Sequence, residues 1–465
     1  MQSKSLCDLS IAELGRRMRE GVATSVAVTE AALARIAARD PIYQAFVTVT
    51  EERALADARR ADADFSTGLD HGPMQGIPYA LKDMIDTSGI LTTAHSRLLL
   101  DNVPETDAAL VQKLRQAGAV LLGKLATYEF ALVGPDLDLP FPPARNPWNT
   151  DHVTGGSSSG PAAAVAGGLV RTAIGTDTGG SIRSPACACG VVGLKPTYGL
   201  VSMAGIIPLS ASLDHAGPLS ASVDEAALTL DVIAGSRTAR PDREFARSRI
   251  GRDLHGMRLA YARSFHANDP ETNPEVIAAL DDAASQLSML GASIVEVDLP
   301  DYELFEACGA VILQAEAYAA HRRDLQSRAA RYGRLSLQTL ASGFALTPAD
   351  VVQAHRVRTH LTKALEHEIF SKFDALIVAN VLAPASRFDL RDGKNPRWTA
   401  MRTLPFNLSG NPALALPIGF ARNGLPLGMQ IAGRSFSEAV ICQIGAAYEA
   451  ATGWAAVRVP QIAAA

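Results

Sequence analysis

The chain has 465 residues, of which 48% are hydrophobic and 20% charged, and it carries a net charge of −5 at pH 7. That length and apolar content support a large buried core, and the slight acidity with dispersed Lys and Arg argues against tight nucleic-acid binding. The N-terminal MQSKSLCDLS has no apolar leader core, and no apolar run approaches the ~20 residues that span a bilayer, so a cytoplasmic protein without a membrane segment is expected.

In chain order, Ser10 and Glu13 form a capping pattern before IAELGRRMRE, and Gly21 stops that helix. A second helix, VAVTEAALARIAAR, is expected to end before Asp40-Pro41. GIPYALKD (76–83) reads as a strand, and ETDAALVQKLRQ as a helix closed by Gly118 before the buried strand AVLLG. Residues 145–220 are rich in Gly, Ser and Pro and read as functional loops rather than regular elements. Ser222 and Glu225 repeat the capping pattern. MRLAYA (257–262) reads as a strand, Asn273-Pro274 opens a helix that runs to Gly291, and ASIVEVDL follows as a strand. Residues 300–400 read as a polar helical cover over one side of the site, LPLGMQIAG as a buried strand, and the following segment as a helix to about Ala451. Helix–strand alternation over short loops predicts an α/β fold with a largely covered sheet.

The cysteines Cys7, Cys187, Cys189, Cys308 and Cys442 are odd in number and widely spaced, unlike a disulfide framework. Cys187 and Cys189 lack a second Cys/His pair at metal-ligand spacing, so packed cysteines are expected and no metal.

Residues 154–165, TGGSSSGPAAAV, place three serines between glycines. GSSSG matches a nucleophile-elbow pattern centred on Ser158, but a loop-like segment precedes it where a strand is required. A phosphate cradle would need Gly-Lys-Ser/Thr where Gly160-Pro161 stands. A tight connection into a helix also accounts for the run when it is taken alone. A second run, GTDTGGSIR (175–183), follows the strand-like LVRTAIG. There Gly179 and Gly180 allow close approach of a substrate, the N–H groups from Thr178 to Ser181 can converge on one oxygen, and Ser181 can attack the adjoining carbon. Such a serine needs a base. Lys82 closes the apolar strand, where burial would disfavour its charge; the competing reading is a surface ion pair with Asp83 or Asp86.

GIPYALKDMIDTSG, AGAVLLGKLATYEFA, PARNPWNTDHVTGGSSSGPAAAVAGG, TAIGTDTGGSIRSPACACGVVGLKPTYGLVS, SLDHAGPLSASVDEAALTLDVIAG, NLSGNPALALPIGF and GLPLGMQIAG together resemble the amidase signature family, in the family's order and over roughly 5–455. The resemblance implies an α/β amidase signature fold, a large mixed twisted β-sheet covered on both sides by α-helices. It implies one amidase domain over 1–465, with an N-terminal helical segment (1–65), a signature core (66–235), a helical cover with additional strands (236–400) and a C-terminal return to the sheet (401–465). It implies a Ser–cisSer–Lys triad of nucleophile Ser181, bridging Ser157 after a cis Gly156–Ser157 bond, and base Lys82. Thr178, Gly179 and Gly180 would bind the oxyanion, with Ser158, Asp177 and Arg183 in support and no cofactor or metal. Tyr128, Phe130 and Trp398 are pocket candidates.

The run departs from the family pattern at Ser159 and Pro161, and DALIVANVLAPA lacks the threonine-proline-threonine run often found there. The expected activity is hydrolysis of a small aryl or aliphatic amide through an acyl-Ser181 intermediate. The alternatives are a glutaminase component like the A-type one of glutamyl-tRNA amidotransferase, a urea- or carbamoyl-type hydrolase, and a non-catalytic binding protein. A small-molecule substrate is expected, with no nucleic acid and no membrane, and the N-terminal helices offer a surface for a homodimer.

Overall fold

The computed structural model describes residues 5–235, 243–390, 401–457 and 459. Among the described residues, eleven strands form one mixed sheet: β1 (Phe46–Val49), β2 (Pro78–Lys82), β3 (Val120–Leu125), β4 (Thr172–Asp177), β5 (Val192–Lys195), β6 (His215–Ser220), β7 (Arg258–Tyr261), β8 (Ser293–Glu296), β9 (Ala375–Ala379), β10 (Ala413–Phe420) and β11 (Pro426–Gly433). Their spatial order is β1-β3-β2-β4-β6-β5-β10-β11-β9-β7-β8. Parallel pairing joins β3, β2 and β4 on one side and β8, β7 and β9 on the other. The strands between are antiparallel.

Both faces of the sheet are covered. On one, Leu81, Ile174, Leu414 and Ile377 meet helices that include Ala109–Gln116, Val223–Ile233, Pro274–Met289 and Glu438–Thr452. On the other, Ala80, Ala173 and Ala415 pack against Glu51–Ser66, Ser159–Ala166 and Arg183–Cys189. Farther along that face, Leu376, Val378 and Ala432 lie under the helices Tyr302–Arg328, Arg334–Ser342 and Pro348–Ala364. Strands buried on both faces lose the polar–apolar alternation that marks a half-exposed strand. For that reason the stretch 145–220 is not the loop region expected. Besides β4, which the strand-like LVRTAIG anticipates, it supplies β5 and β6 at the centre of the sheet and two short buried helices. β1, in the segment expected to be helical, and β9, within the expected helical cover, are further strands that the sequence reading misses.

The helix Ser25–Tyr43 runs through Asp40-Pro41 rather than stopping before it. A proline in the last turn removes only one hydrogen bond. The chain behind it is held by the Gln44 N–H on the Asp40 carbonyl and by the Asp40 carboxylate, which accepts from Ala45 and Phe46. Ser10 and Ser222 cap their helices as expected, but neither glutamate closes a reciprocal box. Glu13 turns to Arg16 and Arg17, and Glu225 to Arg171 and the Ile11 N–H. Among the described residues, no helix is long and apolar enough to cross a membrane.

Candidate active site

β2 and β4 are parallel neighbours, so their C-terminal ends deliver Lys82 and the Asp177 turn to the same edge of the sheet. Lys82 is fully buried and makes no ion pair with Asp83 or Asp86, contrary to the competing reading; Asp83 instead faces the buried Lys124 at 4.0 Å. Its Nζ donates to Ser157 Oγ at 2.8 Å and to Thr176 Oγ1 at 2.7 Å. Burial lowers the lysine's pKa to about 7, against the opposing pull of Asp177 and Asp214. An uncharged amine has one lone pair and two N–H groups. With Thr176 taking one N–H, the lone pair can turn toward Ser157.

Ser157 enters through a cis Gly156–Ser157 peptide bond and is 2% exposed. Ser158 braces the loop: its hydroxyl donates to the Thr176 carbonyl and accepts from the Thr176 N–H. The Ser158 N–H donates to the Ser181 carbonyl at 3.2 Å, tying the triple-serine run directly to the second glycine turn. Ser159 and Pro161 lie in the first turn of the helix Ser159–Ala166. N–H groups there have no intrahelical acceptor, so the departure at Pro161 costs the helix nothing. A Cβ on Gly160 would come within 2.4 Å of the Ala126 nitrogen, which is why this helix can dock so close to the end of β3.

The turn bearing Ser181 is built on one fully buried ion pair. Asp177 Oδ1 accepts from the Gly180 N–H at 2.8 Å, and Oδ2 accepts from the Ile182 N–H at 3.1 Å. Arg183 holds both carboxylate oxygens at 3.0 Å, and its remaining N–H groups reach the Thr403 carbonyl, Gln430 and Asn407. Asn407 donates to Asp177 in return, and Thr403 Oγ1 donates to the Gly179 carbonyl at 2.5 Å. Despite burial, the Arg183 charge holds the Asp177 carboxyl well below the usual range. Thr178 Oγ1 donates to Asp214 at 2.5 Å.

One of the expected oxyanion donors, Gly180, already has a partner for its N–H. The Gly180 N–H is engaged by Asp177, whereas among the described residues the N–H groups of Gly179 and Ser181 meet no acceptor. Gly180 contributes its backbone freedom instead. Its φ is +133°, and a Cβ there would come within 2.3 Å of Thr403 Oγ1.

Of the pocket candidates, Tyr128 is half-buried; its N–H donates to the Ser157 carbonyl, and a Cβ on Gly156 would fall 2.2 Å from its ring. Phe130 is core rather than pocket. Its ring packs against His321 at 4.5 Å and Tyr332 at 5.6 Å, because its backbone turns at φ 49° into the helical cover. Trp398 lies outside the described residues. Cys187 and Cys189 are fully buried, and burial pushes both thiols up, as expected of packed cysteines. Thr176, Asp214, Thr403, Asn407 and Gln430 escape the sequence reading. Thr176 lies inside the GTDTGG run, but the others stand 33 to 249 residues from Ser181 and carry no local signal.

A strand-end lysine bonded to a serine, beside a glycine turn carrying a second serine, belongs to hydrolytic chemistry on carbonyl compounds. Residues 27–442 match the family model described as Amidase; the chain belongs to the Amidase family and is an enzyme acting on carbon–nitrogen amide bonds. It is 37% identical over 481 residues to the A-type component of glutamyl-tRNA(Gln) amidotransferase from Geobacter metallireducens, covering 97% of this chain and 98% of that one. Among solved structures it resembles native peptide amidase from Stenotrophomonas maltophilia (TM-score 0.83, 32% identity, 98% of each chain). It is also similar to a chain of a vestigial protein complex bearing on the origins of an s-triazine catabolic enzyme (TM-score 0.89, 32% identity, 97% of this chain and 100% of that chain).

Proposed function

We propose that the protein hydrolyses a small, uncharged aryl or aliphatic amide to carboxylate and amine, with Ser181 as nucleophile, Ser157 as proton relay and Lys82 as base. The observation that carries this reading is the 2.8 Å contact between a fully buried Lys82 Nζ and Ser157 Oγ. Uncharged Lys82 accepts the Ser157 proton as Ser157 accepts that of Ser181, and Ser181 Oγ bonds to the amide carbon. The oxyanion meets the N–H groups of Gly179 and Ser181, with Thr178 alongside. The C–N bond then breaks, the proton returns through Ser157 to the leaving nitrogen, and water releases the acyl group by the same relay.

An uncharged substrate fits the guanidinium groups around the site. Arg183 is engaged by Asp177, Gln430 and Asn407, Arg358 by the Leu408 carbonyl and Ser212, and Arg402 by Asp269 and the Phe265 carbonyl. The test is to label the protein with a fluorophosphonate and map the modified residue. Ser181 is expected, and a label on Ser158 would overturn the mechanism.

The name carried by the Geobacter relative favours a second reading, a glutaminase that works with partner chains. The two readings separate on the purified chain. Turnover of simple anilides without glutaminase activity supports the first; glutamine hydrolysis with stably co-purifying partner chains supports the second.

A further inference from the structure

We propose that Asn380 is a specificity residue that reads a second, uncharged amide or ureido group on the acyl side of the substrate. This rests on the reading of the protein as an acyl-Ser181 amidase.

Asn380 follows β9 directly and is fully buried, yet neither its Oδ1 nor its Nδ2 has a hydrogen-bond partner among the described residues. A buried carboxamide with both ends unpaired is destabilising, so evolution would ordinarily replace it with an apolar side chain.

Its position gives it a use. Alternate residues of a strand share a face. Along β9, Ala375, Ile377 and Ala379 face the core on one side of the sheet, and Leu376 and Val378 face the layer under the helical cover. Asn380 continues the second set. Gln430, paired with Val378 in the register, is on that face, and its side chain grips Arg183 behind the Ser181 turn. The Asn380 carbonyl accepts from the Arg402 N–H at 2.8 Å, and the next residue, Thr403, holds the Gly179 carbonyl. Two hydrogen bonds and one peptide link therefore connect Asn380 to the turn where the acyl group would be bound.

A primary carboxamide offers one acceptor and two donors without charge. Its complement is another uncharged group that presents a donor beside an acceptor, such as a carboxamide or a urea. An apolar acyl chain would leave Asn380 unpaired, and a carboxylate would answer only its N–H groups.

The test uses the intact protein and two anilides that are isosteric except that one bears a terminal carboxamide on its acyl chain and the other an isopropyl group. Wild type should favour the carboxamide anilide. Asn380→Leu should lower kcat/KM for it about tenfold, chiefly through KM, and change the apolar anilide by less than about twofold. Asn380→Asp, which retains the shape but loses the donors, should also lose the preference and covers the case in which the leucine variant folds poorly. Equal losses on both substrates, or a wild type that labels at Ser181 but shows no preference, would overturn the assignment. Failure of wild type to label at Ser181 would instead overturn the underlying amidase mechanism.

Discussion

The Ser158 N–H donates to the Ser181 carbonyl at 3.2 Å, so the two glycine-flanked serine runs, 23 residues apart in sequence, are joined main chain to main chain. Ser181 is itself one end of this bond, and Ser157, one residue before Ser158, receives the Lys82 hydrogen bond. Backbone pairing holds the proposed relay serine and nucleophile in one frame, leaving the side chains free to exchange protons.

Removing the proposed base should be decisive. Lys82→Met keeps the volume of the buried side chain and is expected to cut kcat by roughly two to four orders of magnitude, the range for a lost general base. Steady-state kinetics with a far-ultraviolet spectrum of the variant checks both the loss and the retained fold.

The acid limb of the pH profile follows from the same residue. With a pKa of about 7, Lys82 is protonated below that pH and cannot accept a proton. Thus kcat/KM should rise through pH 7 and level off above it. Stability should move in the same direction. The folded-state pKa lies below the unfolded value near 10.4, so the unfolded chain binds more protons between about 7 and 10, and the penalty of burying the charge is relieved as pH rises through that window. The urea midpoint of Lys82→Met should therefore exceed that of wild type most below pH 7, with the gap closing toward pH 10.

Thr176→Val should separate orientation from basicity. The hydroxyl accepts from Lys82 at 2.7 Å, and its removal frees the amine to rotate. A loss of one hydrogen bond, about 1 kcal/mol, corresponds to roughly a fivefold fall in kcat with little change in KM.

The Asp177–Arg183 pair predicts a stability effect. Both side chains are completely buried. Arg183→Met strands the carboxylate and should cost about 3–5 kcal/mol, while adding Asp177→Asn should restore part of it, as a double-mutant denaturation series would show.

Gly156 predicts a steric effect. Gly156→Ala drives a methyl into the Tyr128 ring, 2.2 Å away, and should abolish most activity. Combining it with Tyr128→Ala should recover roughly tenfold over the single variant, a coupling of the size found between contacting residues.

The chemistry of the site is legible in the sequence because its main parts sit beside glycines or at a strand end. Ser181 is marked by its glycine turn and Lys82 by its strand end, whereas Ser157 is singled out only by the family resemblance, local pattern having centred on Ser158. The supports are not marked in this way. Arg183 and Asp177 stand in the recognised run, but Asn407 and Gln430, which complete their hydrogen bonds, are reached only when β10 and β11 fold back. The central strands are obscured for a different reason. β4 is announced by the strand-like LVRTAIG, but with both faces buried β5 and β6 show no alternation, and the alanine-rich helix Ser159–Ala166 shows no polar face. Phe130 is misplaced by the sequence reading because consecutive positive φ values at Phe130 and Ala131 redirect the chain, and no composition rule reports them.

The Arg183 anchorage also has a consequence in time. Its side chain closes on Thr403, Asn407 and Gln430, which lie 220, 224 and 247 residues downstream. A nascent chain that has left the ribosome only as far as the helix Pro348–Ala364 already carries Lys82, Ser157 and Ser181, but not the groups that seat the arginine behind the Ser181 turn. On the proposed mechanism, reactivity therefore arrives late in synthesis, and the emerging polypeptide is kept from attacking amides before that turn is secured.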